Sequence, residues 1–174
     1  LSIFFGGKFI TLFEKYFMAE TLGSLVDKLS IKNLRIWHLD EALGSEEIST
    51  SERQELQAKR DLADKQRQDL MTEVDGFLGA ALRGEVRIRD EKIKMYSNTN
   101  VSSSEGIKDL GEAVSELAFR NIKLWHLEDE VRRTDLPDSS IVQTKRAIDS
   151  TNQERNNLMD KVDEILSHCS EEKQ

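Results

Sequence analysis

An all-α fold, a four-helix bundle made of two duplicated antiparallel helical hairpins, is predicted by three observations. One proline and nine glycines in 174 residues leave long stretches with nothing to break a helix. Apolar residues recur at spacings of three and four, the signature of one face of a helix. Above all, the sequence repeats itself. Adding 88 to a number in the first half gives the matching residue in the second, without a gap. Leu22-Gly23 becomes Leu110-Gly111, Asn33 becomes Asn121, and Trp37-His38-Leu39 becomes Trp125-His126-Leu127. Asp61 matches Asp149, Arg67 matches Arg155, and Leu70-Met71 and Val74-Asp75 match Leu158-Met159 and Val162-Asp163. A hydrophobic fraction of 37% is enough for one domain, and 33% charged residues suit helices with solvated outer faces.

In chain order, Leu1 to Phe17 do not fit the pattern. They are rich in Phe and Ile but interrupted by Gly6-Gly7-Lys8, too broken for a signal peptide and too short for a span of about 20 apolar residues. Residues 1–17 read as a non-core leader or a mis-assigned start, with Met18 as the natural beginning. A short docking helix is the second reading. Residues 18–84 form the first hairpin unit. Its first helix, near 20–43, carries Leu22, Val26, Leu29, Asn33 and Trp37 on one stripe, with Asp27, Lys28, Lys32 and Arg35 on the solvent side. Gly44 and Ser45 end it, and Ser49-x-x-Glu52 is a capping box for a helix near 49–83. That helix offers Arg67, Leu70, Met71, Val74 and Leu78.

Residues 85–105 read as a linker, in which Glu85 to Tyr96 has a short helix as its first reading and a strand, from the alternation at Val86 and Ile88, as its second, before a Ser- and Asn-rich stretch. Residues 106–169 form the second unit, with helices near 106–133 and 138–168. Asp135 is its expected cap, and Pro137 is tolerated in the first turn. Residues 170–174 are a tail. One hairpin cannot bury its stripe alone, so the two are expected to pack together in a single domain. Trp37 and Trp125 are then core anchors, and Met71 and Met159 core fillers.

A formal net charge of −8 and the lack of dense Lys/Arg runs exclude nucleic acid as a partner. The single cysteine, Cys169, allows no disulfide within the chain and fits a cytoplasmic location. No membrane span is expected.

Polar residues kept in both units are the candidate site. Asn33, Trp37, His38, Asp40, Glu41, Asp61 and Arg67 have counterparts in Asn121, Trp125, His126, Glu128, Asp129, Asp149 and Arg155. A loop near residue 46 would put Asn33 level with Asp61, and Asn121 level with Asp149. Both sets would then lie at one height about a pseudo-twofold axis. A hydrogen-bonded network that fixes register is the favoured reading. Asp149 and Arg155 are expected to join the Asn121–His126 face in it, so that Asp149→Ala destabilises strongly. No cofactor is expected. Were a divalent metal bound, its ligands would come from His38, Glu41, His126, Asp129, Asp61 and Asp149, because imidazole and carboxylate at i, i+3 share a helix face. The acidic pairs Glu128-Asp129-Glu130 and Asp160-x-x-Asp163 are superficially similar to those of all-α nucleotide pyrophosphohydrolases, but the full Glu-rich signature is missing from both halves.

The run Asn121-Ile122-Lys123-Leu124-Trp125-His126-Leu127-Glu128-Asp129-Glu130, then Lys145-Arg146-Ala147-Ile148-Asp149 and Asn152-Gln153-Glu154-Arg155-Asn156, resembles an uncharacterised bacterial family, domain of unknown function 4254. The first unit follows the pattern more loosely, through Ile36-Trp37-His38 and Lys65-Gln66-Arg67. Met95-Tyr96-Ser97-Asn98 is similar to a segment near the family's C-terminal end, which implies that the halves stand here in the opposite order. The resemblance implies an all-helical fold and a bacterial source. It also implies an association with cell-surface polysaccharide and glycosyltransferase systems, and it adds Lys145, Arg146, Asn152 and Asn156 to the candidate residues. Two functions follow. The first is a non-catalytic interaction or assembly partner, self-associating or serving another protein. The second is an enzyme, such as a hydrolase, with a carboxylate/His site at the pseudo-twofold axis. No complete catalytic motif is present, which favours the first.

Overall fold

The computed structural model describes residues 2–5, 8–11, 20–88 and 99–171, with side chains described over 20–88 and 99–170. In chain order the elements are β1 (Ser2–Phe5), β2 (Lys8–Thr11), α1 (Leu22–Leu43), α2 (Thr50–Leu82), α3 (Leu110–Val131) and α4 (Asp138–Glu171). The fold of the described residues is all-α: four helices in two hairpins, with a short antiparallel strand pair ahead of them. β1 and β2 pair antiparallel, Ile3 opposite Ile10 and Phe4 opposite Phe9. A strand pair therefore replaces the docking helix considered for this segment, because its Ile, Phe and Thr residues favour extended chain. The reading of Met18 as a start falls on residues outside those described.

The helix bounds keep the 88-residue spacing: α1 and α3 are both 22 residues long, and Leu22 and Leu43 correspond to Leu110 and Val131. Each boundary has a local cause. The Thr21 side chain accepts from Ser24 N at the start of α1. Ser49 and Glu52 form the reciprocal capping box at the start of α2, at 3.2 Å and 2.9 Å. Ser49→Ala is expected to lower stability by about 1 kcal/mol, read as a shift of the urea midpoint. At the other end of α2, Gly84 adopts φ 71°, Gly84 N–H donates to Ala81 O and Glu85 N–H donates to Ala80 O. That is the glycine-terminated reversal that an L side chain at Gly84 would strain.

Two boundaries differ from expectation. Asp135 does not cap α4; it pairs with Arg133 at 2.6 Å. Pro137 stands just before the helix, its carbonyl accepting from Ser140 and Ile141. Residues 85–88 are not helical: Val86 is buried in the core and Ile88 packs against it. The rest of the helix expected over 85–96 lies outside the described residues.

Within each hairpin the helices run antiparallel, joined by the same cross-helix pair 88 residues apart. Lys32 donates to Gln66 at 2.6 Å, and Arg120 to Glu154 at 2.7 Å. The extended packings are α1 with α2, α3 with α4, and α1 with both α3 and α4. α1 is therefore the central helix, and among the described residues no extended packing joins α2 to α3. The core is built from Leu22 and Leu25 of α1, Phe77 and Ala81 of α2, Ala113 of α3, and Val162 and Leu166 of α4.

This asymmetry corrects three expectations. Trp37 is 65% exposed, Met71 is 43% exposed, and Asn33 lies on the surface. α1 is gripped on two sides, so it buries Leu22, Leu25 and Ile36 rather than the single stripe ending at Asn33 and Trp37. Trp125 is half-buried, as is Met159.

Candidate functional site

The polar residues that do converge lie where α1 meets α3 and α4. Asp27, with 6% exposure, accepts a hydrogen bond from Asn121 Nδ2 at 2.8 Å, and the same amide reaches Ser30 Oγ at 3.2 Å. The Arg155 guanidinium approaches Asp27 from α4, with Nε 3.8 Å from Oδ1. One helical turn earlier on α1, Gly23 N–H donates to the buried carboxylate of Asp163 at 2.7 Å. α1 and α4 come close enough here that a Cβ on Gly23 would lie 2.2 Å from Met159 O. Glycine is required for contact, not for backbone conformation. At the far end of the interface the His38 ring stacks on Trp125, with centroids 4.4 Å apart and planes 4° from parallel, while His38 Nδ1 meets Glu41 Oε2 at 2.8 Å. The joint between hairpins thus has a charged middle, a close helix crossing on one side and an aromatic stack on the other.

Beside it runs a second polar strut. Glu154 is 6% exposed and accepts from Arg120 Nε at 2.7 Å and from Ser102 N–H at 2.9 Å, while Arg120 also pairs with Glu116. Burial alone would raise the Glu154 pKa, but the Ser102 N–H and the Arg120 guanidinium outweigh it and hold the carboxyl below its usual range. A depressed native pKa stabilises the fold above the unfolded carboxylate range and is lost as pH falls through the native value. Glu154→Gln is therefore expected to flatten the acid limb of the stability profile, measured by urea denaturation between neutral and acid pH.

Of the residues singled out in the sequence, Asn121 and Arg155 meet through Asp27, and His38, Glu41 and Trp125 meet at the stack. Most of the others face solvent. Asn33, Asp61, Asp149, His126, Lys145, Arg146 and Asn156 are exposed, and Asn152 and Arg67 are half-buried. Asp61 accepts from Gln57 on its own helix, Asp40 pairs with Arg60, Asp129 and Glu128 face Arg132, and Arg67 pairs with Asp64. The expected level of Asn33 with Asp61 is off by about a turn, since Lys32 meets Gln66 and Asp40 meets Arg60. The buried role expected for Asp149 belongs to Asp27 instead. The six residues considered as metal ligands are spread over both hairpins, and the described residues hold no group of three or more His, Cys, Asp or Glu placed to bind a metal ion.

Sequence reasoning placed Asp27 among solvated charges and passed over Gly23, Ser30 and Asp163 as site residues. One signal was available: Asp27 stands one turn after Gly23 on the same face, with Ser115 instead of an acid at its matching position.

The fold and this joint define a paired-hairpin helical domain held together by a buried charge network. The chain belongs to the family described as protein of unknown function (DUF4254), which matches residues 12–89 and 111–174. No curated protein and no solved structure matches it.

Proposed function

We infer that this chain acts as a helical interaction or assembly protein rather than as a catalyst. The observation that carries the reading is the division of labour among its side chains. The convergent polar groups hold helices to one another, while large apolar side chains stand in solvent: Trp37 at 65%, Phe119 at 58% and Ile122 at 41%. Phe119 and Ile122 are three apart on α3 and make one apolar patch, the kind of surface that marks a protein contact. No described helix is long and apolar enough to cross a membrane, and the exposed thiol of Cys169 suits a reducing compartment. We place its work in the cytoplasm, with glycosyltransferase systems of cell-surface polysaccharide synthesis as the partner class to examine first.

The test is cross-linking in producing cells, wild type against Phe119→Glu. Specific protein adducts lost in the variant support the reading. Saturable stabilisation of the purified chain by magnesium, manganese or zinc, with no adducts in cells, would turn the conclusion to the enzyme reading.

A further inference from the structure

The in-chain joint is used once, but the sequence carries its two sides twice. On α1 the joint uses one stripe: Gly23, Asp27, Ile31, Leu34 and His38, all buried or half-buried. The residues 88 positions on, Gly111, Ser115, Phe119, Ile122 and His126, form the same stripe on α3, and all five are exposed. A Cβ on Gly111 would meet nothing within 4 Å, where one on Gly23 would strike Met159 O.

The opposite side of the joint is duplicated as well. Met159, Asp163 and Arg155 of α4 receive α1, and their counterparts on α2 are Met71, Asp75 and Arg67. Met71 and Asp75 are exposed. Arg67 repeats a further detail of Arg155, since in both the Nε is buried without a hydrogen-bond partner. Asn121 and Trp125, which bond Asp27 and stack on His38, correspond to the exposed Asn33 and Trp37. Among the described residues these two open faces do not pack on each other within one chain, since α2 lies along α1 and has no extended packing with α3.

We propose that a second copy of this chain docks by repeating the in-chain joint, with α3 of one copy seated against α2 and the end of α1 of the other. Gly111 admits the Met71 backbone, Asp75 accepts the Gly111 N–H, and His126 stacks on Trp37. The copy is more apolar than the original. Ser115 and Ala118 stand where Asp27 and Ser30 bond Asn121, and Phe119 replaces Ile31. An interface that forms and separates between chains gains from this exchange, because it desolvates one carboxylate fewer. Given reciprocally about a twofold axis, the contact forms twice and closes. The proposal rests on the interaction reading and names its partner.

Sedimentation velocity of the full chain over a concentration series tests it. The wild type is expected to show a species of two or more chains. Gly111→Leu and Trp37→Glu are expected to sediment as single chains with helicity unchanged by circular dichroism, while Val142→Glu, an exposed apolar position off both stripes, retains association. In a Cys169→Ser background, mixed Ser115→Cys and Asn33→Cys chains, at the counterparts of Asp27 and Asn121, are expected to form a disulfide between copies. A wild type that stays a single chain at every concentration overturns the proposal, as does association indifferent to Gly111→Leu and Trp37→Glu. If the chain is single yet Phe119-dependent adducts with another protein persist in cells, the second copy is the wrong partner and the interaction reading stands. If those adducts are absent too, both fall.

Discussion

Gly23→Ala is expected to destabilise the fold by about 3–5 kcal/mol, the sum of forced separation of two packed helices and loss of a buried, charge-assisted hydrogen bond. The added methyl would sit 2.2 Å from Met159 O, a backbone atom in mid-helix that no rotamer change can move. α1 must then lift from α4, and the 2.7 Å bond from Gly23 N–H to Asp163 lengthens with it. Gly111→Ala is the internal control. It makes the same chemical change at the matching position, with no atom within 4 Å to strike, so it should leave single-chain stability near wild type. Urea unfolding of both variants checks the pair. Equal midpoints would mean that the close crossing carries no stability.

The second large effect is expected at Asp27. Removing its carboxylate leaves the Asn121 amide and the Arg155 guanidinium facing an apolar gap, and a stranded buried charge typically costs about 3–5 kcal/mol. Arg155 retains some access to solvent, with 26% of its side chain exposed, which favours the lower end of that range. Asp27→Ala should therefore lose about 3 kcal/mol. Asp149→Ala, at an exposed position, should lose about 1 kcal/mol or less. A double-mutant cycle with Arg155→Met should recover part of the loss, since the second substitution removes the stranded charge. Additive losses would show that Asp27 and Arg155 are not coupled across the joint.

The elements were legible in the sequence for a definite reason. Caps and glycines act locally, so Ser49, Glu52, Gly44 and Gly84 mark their boundaries whatever the rest of the chain does. The helix bounds of the second half keep the 88-residue spacing, although Pro137 and Arg132 stand where Ser49 and Gly44 mark the first. Burial was less legible because it is not local. Trp37 and Trp125 have nearly identical neighbours, yet one is 65% exposed and the other is half-buried against His38. The difference is that α3 sets Trp125 against α1, where the His38 ring covers it, while Trp37 on the matching face of α1 stands in solvent. Asp27 escaped notice for the opposite reason: its counterpart is Ser115, so a search for shared polar residues passes over the one carboxylate at the centre of the joint. A repeat reveals what two units have in common, and the contacts between them depend on where they differ.

The central position of α1 also sets an order of events in folding. Each hairpin closes over short sequence separations, through Lys32 with Gln66 or Arg120 with Glu154, whereas Gly23 and Asp163 are 140 residues apart. Local contacts form quickly and distant ones late, so the hairpins should be largely assembled before the joint between them. Substitutions at Gly23 and Asp27 are then expected to leave the refolding rate nearly unchanged and to act almost wholly by hastening unfolding. For such a molecule, the lifetime of the folded state is governed by how firmly one hairpin holds the other.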